Sequence, residues 1–265
     1  TMRSPLSDAM TQWLASAPQW MLNLPKWLSD FCYDIFKCFI FDDRYMLFVK
    51  GLGNTLILTF FALLIGIALG VVVSLVRVTW DKNGLEMKSG PKKFLLWLTN
   101  LVCKIYLTVI RGTPVVVQIL IYYFIIMTST DKIVTGIVAF GINSGAYVAE
   151  IMRSGIMSID GGQNEAGRSL GFGYVSTMRY IILPQAFKNV LPALANEFIV
   201  LLKETAVAGY IGLTDLAYAG NIVGGITYEY LIPLVFGVAL VYLILVMFFT
   251  WLVGKLERRL RASER

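Results

Sequence analysis

Residues 165–186 read EAGRSLGFGYVSTMRYIILPQA, a polar, glycine-punctuated stretch in a chain whose flanking sequence is mostly apolar. From Gly161 the pattern predicts a short helix (QNEAGRSL), a turn (GFGY) and a second helix ending near Leu183-Pro184, because Gly and Pro punctuate the helical runs. Neither piece is long enough to cross a bilayer. Each is also shorter than the ~12–15 residues an isolated helix needs in water, so the segment needs a surface to rest on. Two surfaces fit these residues. One is a protein groove, entered by a compact knob with Glu165 and Arg168 near its start and Leu170, Phe172 and Tyr174 exposed to it. The other is the headgroup layer, on which an amphipathic loop would lie.

What flanks the stretch is membrane-like. The 265 residues are 57% hydrophobic and 15% charged, well outside the composition of an ordinary soluble domain. Apolar runs near the ~20 residues that cross a bilayer core recur after residue 50. They predict five spans, at 52–76, 112–128, 133–156, 189–208 and 229–253. The run FLLWLTNLVCKIYLTVIRGTPVVVQILIYYFIIM (94–127) is too long for one straight helix. Pro114 removes a backbone donor and disfavours helix just before it, so residues before Arg111 are read as a surface-hugging or kinked piece preceding the span. In the third span Gly136, Gly141 and Gly145 permit close helix contact. The expected fold is therefore all-α and polytopic, with an interfacial N-terminal segment (1–50), a membrane domain (51–255) and a basic tail (256–265).

Charge orients these spans. The loop RVTWDKNGLEMKSGPKK (77–93) carries five basic residues against two acids, and the tail GKLERRLRASER carries five more. The 206–228 loop has no Lys or Arg and one acid, Asp215. The positive-inside rule then places the N-terminus outside, the C-terminus inside and the 157–188 insert in the cytoplasm. The net charge of +6 reports orientation here rather than nucleic-acid binding. No removable signal peptide is read at the N-terminus. An odd number of spans shows no two-fold internal repeat, so a pore would need a second chain.

The chain contains no His, which removes the commonest general base and metal ligand; no catalytic residue, bound cofactor or metal site is expected. No GxxxxGK[ST] pattern is present either, so ATP hydrolysis is not expected on this chain. Cys32, Cys38 and Cys103 form no CxxC pair; Cys32 and Cys38 can bridge if outside the cell, or stay as packed thiols. Ionisable residues at membrane depth should face a cavity or each other. Glu150 and Arg153, three apart on one helix face, are read as a structural ion pair. Asn143, Ser144 and Tyr147 on the third span and Asn196 and Lys203 on the fourth are the substrate-pathway candidates, with interhelical hydrogen bonding as the alternative. Arg111 beside the Pro114 kink is read as a gate or interface anchor.

Glu165-Ala166, Gly171, Ile181 and Leu183-Pro184 have the spacing of the EAA loop of ABC importer permeases: EAA, three residues, G, nine residues, I-x-LP. The chain departs from it at Gly167, where the pattern has Ala, a change expected to loosen the helix locally without altering the register. KGLGNTL (50–56), RGTPVVVQ (111–118), SGAYVAEIMRSGI (144–156) and RYIILPQAFKNVLPALANEFIVLLKET (179–205) resemble the polar amino acid subfamily, and the likeness runs over about 45–255. It implies that the insert forms a coupling helix seated in a cytoplasmic ATPase, with Glu165, Ala166, Gly167, Leu170, Gly171 and Phe172 at the contact. It further implies a second permease chain, identical or homologous, an ATPase dimer carrying ATP and Mg, an external substrate-binding protein, and a prokaryotic inner or plasma membrane. A stand-alone secondary carrier or channel for small polar solutes is the alternative.

Overall fold

The computed structural model describes residues 5–18, 21, 24–84 and 87–262, and every regular element among them is helical. Trp20 of the N-terminal segment and the last three residues of the tail lie outside the described residues. The chain divides into two compact units, Thr1–Leu56 with Ala206–Val246, and Ile57–Thr205 with Met247–Arg265.

In the first unit, α1 (Pro5–Ser16) and α2 (Lys26–Ile35), the latter prolonged by a wide turn at Phe36–Ile40, precede the start of α3 (Tyr45–Asn83). Trp13 is buried against Phe36, with ring centroids 5.4 Å apart, and packs with Phe41, so it is a core residue rather than an interfacial anchor. Trp27, by contrast, is 72% exposed. Cys38 is buried beside Phe48, Leu216 and Val223, whereas Cys32 packs on the Trp13 cluster. The two thiols thus belong to different clusters, and all three cysteines are free.

The KGLGNTL motif has a definite task in this unit. A Cβ on Gly51 would stand 2.6 Å from the Asp215 carbonyl oxygen, so only glycine admits the 214–216 backbone so close. Asn54 Nδ2 donates to the Thr214 carbonyl at 2.8 Å, and Thr55 Oγ1 accepts from the Leu216 N–H at 3.1 Å. Asp215, held at this point, caps α10 (Leu216–Thr227) by accepting from the Ala217 and Tyr218 N–H groups.

The second unit contains the rest of α3, then α4 (Pro91–Gly112), α5 (Val115–Ile121, widened through Tyr122–Ile126), α6 (Lys132–Met157) and α7 (Gly161–Ser169). After α8 (Tyr174–Thr177) come α9 (Leu183–Glu204) and, beyond the first unit's Ala206–Val246, the C-terminal part of α11 (Leu240–Ala262). Helices α6 and α9 pack through Val148, Val190 and Leu194. Among the described residues, four helical stretches are long and apolar enough to cross a membrane: Tyr45–Asn83, Pro91–Gly112, Lys132–Met157 and Pro233–Leu260.

The expected second span is corrected by this set. Residues 91–112 form one 22-residue helix, ~33 Å long at 1.5 Å per residue, and 115–126 is the shorter apolar piece. The Pro114 break is real, but it ends a spanning-length helix instead of beginning one. Arg77 Nη1 donates to Asn100 Oδ1 at 2.8 Å, and Tyr106 Oη donates to the Ile142 carbonyl at 2.6 Å; these bonds tie α4 to α3 and α6. The expected fourth span corresponds to α9, which has the length of a crossing but carries Lys188, Glu197, Lys203 and Glu204.

Candidate functional site

The insert begins at Asp160, whose carboxylate accepts from the Gly162 N–H at 2.9 Å and caps α7. The helix closes in a Schellman turn: the Phe172 N–H reaches the Gly167 carbonyl at 3.0 Å and the Gly171 N–H reaches the Arg168 carbonyl at 2.9 Å. Gly171 has φ +81°, the left-handed region that glycine enters without steric cost. A stiff, hydrogen-bonded turn therefore joins the two helices of the hairpin.

Gly167 is the buried face of α7. A Cβ there would lie 2.6 Å from Thr177 Cγ2 and 2.7 Å from Thr177 Oγ1. The departure from the EAA pattern does not loosen the helix; it seats α7 directly on α8. The second helix also does not stop at Leu183-Pro184. It widens at Met178–Ile182 and continues into α9, where Pro184 occupies the first turn, a place where a missing N–H leaves no intrahelical bond unmade. The insert is thus continuous with a long helix of the second unit. Gln185 Nε2 donates to Gln163 Oε1 at 3.2 Å and Asn189 Nδ2 to Ser158 Oγ at 3.3 Å, bracing the hairpin on that helix. Tyr174 hydrogen-bonds Asn83 at the end of α3, and burial pushes its phenol up from the ordinary tyrosine range.

The outward face of this hairpin is exposed. Glu165, Ala166, Arg168 and Gly171 are open to solvent, as are the apolar side chains of Leu170, Phe172, Val175 and Tyr180. Leu170 is 72% and Val175 74% exposed on a segment whose backbone is fully braced. Rigid backbone beneath projecting apolar and charged side chains is the arrangement of a preformed docking surface.

The pathway candidates separate into two groups. Asn143 and Ser144 are buried: Asn143 Nδ2 donates to Gln118 Oε1 at 3.0 Å, and Ser144 Oγ donates to Glu197 Oε1 at 2.9 Å, joining α6 to α5 and α9. Tyr147, Arg111, Glu150 and Glu197 line one cavity of about 460 Å³, and the Arg111 guanidinium lies over the Tyr147 ring at 5.4 Å. Arg153 holds Glu150 through two bonds, at 2.6 and 3.2 Å, and reaches Asp81 at 3.3 Å. Asn196 is exposed and lines a second cavity of about 650 Å³ with Lys188, Thr250 and Glu257; Lys203 is exposed and lines neither.

Glu197 and Gln118 were not among the site residues read from the sequence. For Gln118 a signal existed. Pro114 cannot donate to the Ile110 carbonyl four residues earlier, and Gln118 Nε2 supplies that bond at 2.8 Å, together with bonds to the Thr113 carbonyl and Oγ1. A proline followed four residues later by a side-chain amide is a legible repair. For Glu197, one of two acids on its helix, there was no such sign.

The braced hairpin and, after Tyr45–Asn83, the remaining spanning-length helices fall almost entirely within residues 93–262, which match the binding-protein-dependent transport system inner membrane component family. The chain belongs to that family. Among curated relatives it is 37% identical over 220 residues to the arginine transport system permease protein ArtQ of Bacillus subtilis, covering 82% of this chain and 93% of that protein. It is 32% identical to the glutamine transport system permease protein GlnP of Escherichia coli, covering 81% and 93%. A solved amino acid ABC transporter with histidines superposes with TM-score 0.71 at 42% identity, over 81% of this chain and 94% of the other. The fold is shared more widely: the MetNI methionine ABC transporter in an inward-facing form gives TM-score 0.63 at 21% identity. This family member is an ABC transporter permease by sequence and by fold.

Proposed function

We propose that the chain is the transmembrane permease subunit of an ATP-driven amino acid importer and transmits the motion of an ATPase through the 157–188 hairpin. The exposed apolar face on the Schellman-locked hairpin carries this reading. It offers a groove-fitting surface on backbone that does not yield, and α8 runs on into α9, so a displacement of the hairpin is passed to a helix of the membrane domain. The partners are an ATPase dimer that binds ATP and Mg, a second permease chain, identical or homologous, and an external substrate-binding protein. The location is the plasma or inner membrane of a prokaryote.

The charge distribution supports an outside N-terminus and an inside C-terminus, with the hairpin and the tail on the ATPase side. ATP binding closes the ATPase dimer, the seated hairpins follow, and the membrane helices exchange inward-facing for outward-facing states. In the pathway the cavity between Arg111, Tyr147 and Glu197 receives the substrate. Asn143 and Ser144 hold the helices that shape it.

Purification from native membranes tests the assembly: an ATPase at a fixed stoichiometry to the permease is expected, and a permease recovered alone would sink the reading. In reconstituted vesicles Glu165→Lys or Gly171→Asp is expected to leave the chain inserted while lowering ATP-driven uptake by at least about tenfold, as charge reversal or an added charged side chain at a docked surface does. Undiminished uptake in both variants would show that the hairpin is not the coupling element.

A further inference from the structure

We propose that the junction of α3 and α4 is a binding site for the phosphate headgroup of an anionic phospholipid, whose acyl chains lie along α4. The inference needs only that the chain sits in a bilayer and does not depend on the importer reading. A cavity of about 250 Å³ opens there between Trp80 of α3, Ser89 and Gly90 of the connecting loop, and Lys93, Phe94 and Trp97 of α4. The Phe94 and Trp97 rings stack with centroids 5.9 Å apart, so one wall is a fixed aromatic face. Lys93 Nζ donates to the Met87 carbonyl at 3.0 Å, which anchors the ammonium at the loop and leaves two of its three N–H donors for a ligand. Ser89 adds a hydroxyl. The hollow is too small for a helix, which is about 10 Å across, but it admits a headgroup.

The charges of the junction fix the sign of the ligand. Residues 77–93 carry Arg77, Lys82, Lys88, Lys92 and Lys93 against Asp81 and Glu86. Arg77 is bonded to Asn100, and Asp81 is paired with Arg153. Glu86 lies outside the described residues. Even with Glu86 counted in full, four lysines against one acid leave three positive charges unanswered, and none of the four makes an ion pair among the described residues. A basic pocket between spanning helices at a membrane surface takes an anionic headgroup, whereas a zwitterionic one brings no net charge to it. The tails have a surface as well. Leu95, Leu98, Val102, Ile105 and Val109 follow Phe94 at three- and four-residue spacing and are all exposed, an apolar stripe about 21 Å long at 1.5 Å per residue. That exceeds one leaflet of a ~30 Å hydrocarbon core. Lys104 and Arg111 fall off the stripe, on the side of Asn100, so no charge interrupts it.

The test uses the protein purified with the partners it retains, delipidated in detergent, and follows its melting temperature on addition of phosphatidylglycerol, phosphatidylethanolamine or inorganic phosphate. Phosphatidylglycerol is expected to raise it at a concentration at least about tenfold lower than phosphatidylethanolamine needs, and inorganic phosphate alone to leave it unchanged. Replacing all three loop lysines, Lys88→Gln, Lys92→Gln and Lys93→Gln, should remove the preference. The matching Lys88→Arg, Lys92→Arg and Lys93→Arg variant should keep it, which separates lost charge from lost folding. A photoreactive p-benzoylphenylalanine placed at Phe94 should crosslink to lipid. An equal response to the two lipids, a preference that survives in the glutamine variant, a response to inorganic phosphate alone, or a crosslink to a second permease chain each overturns the inference. No step needs ATP or an amino acid, so failure here leaves the importer reading standing, and failure of the uptake test leaves this site standing.

Discussion

Gly167 and Thr177 are in contact closer than any side chain would allow: a methyl group on Gly167 would stand 2.6 Å from the threonine Cγ2. The threonine cannot swing aside as a long side chain does, because both branches at its Cβ, the Cγ2 methyl and Oγ1, face the site, and both residues are buried. Gly167→Ala therefore trades a helix-propensity gain of about 1 kcal/mol against an overpacking cost of about 1–3 kcal/mol. We expect reduced coupling of ATP hydrolysis to uptake in Gly167→Ala and recovery in the Gly167→Ala/Thr177→Ala double variant. A double-variant cycle on melting temperature, with coupling above about 0.5 kcal/mol, checks the contact directly.

Gly171 is constrained by its backbone alone. Nothing lies within 4 Å of where its Cβ would be, so substitution meets no neighbour, and φ +81° is the whole objection. Side chains should be tolerated in the order Asn, then Ala, then Val, with Ala costing about 1–2 kcal/mol in the hairpin. Uptake rates that follow this order identify the turn, rather than the side-chain surface, as the sensitive feature; a common loss for all three would point to contact with the partner at Gly171 itself.

Gln118 is expected to be the most sensitive residue of the Pro114 break. Its amide nitrogen satisfies the carbonyl orphaned by the proline, and its oxygen accepts from Asn143. Gln118→Leu leaves those buried groups unpaired, at about 1–3 kcal/mol each, whereas Asn143→Ala removes a single bond. The melting temperature of Gln118→Leu should therefore fall clearly further than that of Asn143→Ala. Equal losses would mean that the carbonyls find other partners.

These contacts mark the limit of what the residues announce. The third span was legible almost to the residue, 133–156 against Lys132–Met157, because apolar residues and small glycines repeat without a competing signal. The hairpin's turn was legible because only Gly fits its positive φ. The second span was misplaced because the Pro114 break was read as the start of a crossing and the residues before it as a surface-hugging or kinked piece, although bonds to Arg77 and Ile142 hold α4 on the second unit. The end expected at Pro184 was wrong for a related reason: proline reads as a stop, yet it is equally at home in a helix's first turn. The cavity around Arg111 and Glu197 was hidden because its walls come from α4, α6 and α9, and separation along the chain carries no trace of that meeting.

Asp215 offers a pH signature, in a loop outside the membrane-crossing helices. It is fully buried, and burial pushes its carboxyl from 3.8 to about 6 even though hydrogen bonds from the backbone, those of Tyr218 and Ala217 foremost, favour the charged form. A carboxyl that binds its proton more tightly when folded stabilises the fold fully below pH 3.8, and that contribution is lost as pH rises through about 6. Asp215→Asn keeps an oxygen for the helix cap and has no proton to lose. Relative to this variant, the wild-type protein should therefore lose stability on the order of 2 kcal/mol between pH 4 and pH 7. Melting temperatures of the two proteins measured in parallel across this range check it, since other titrating groups cancel in the difference. The gap should move in favour of Asp215→Asn as pH rises, and a gap that stays constant would mean that the carboxylate is solvated in the assembled protein.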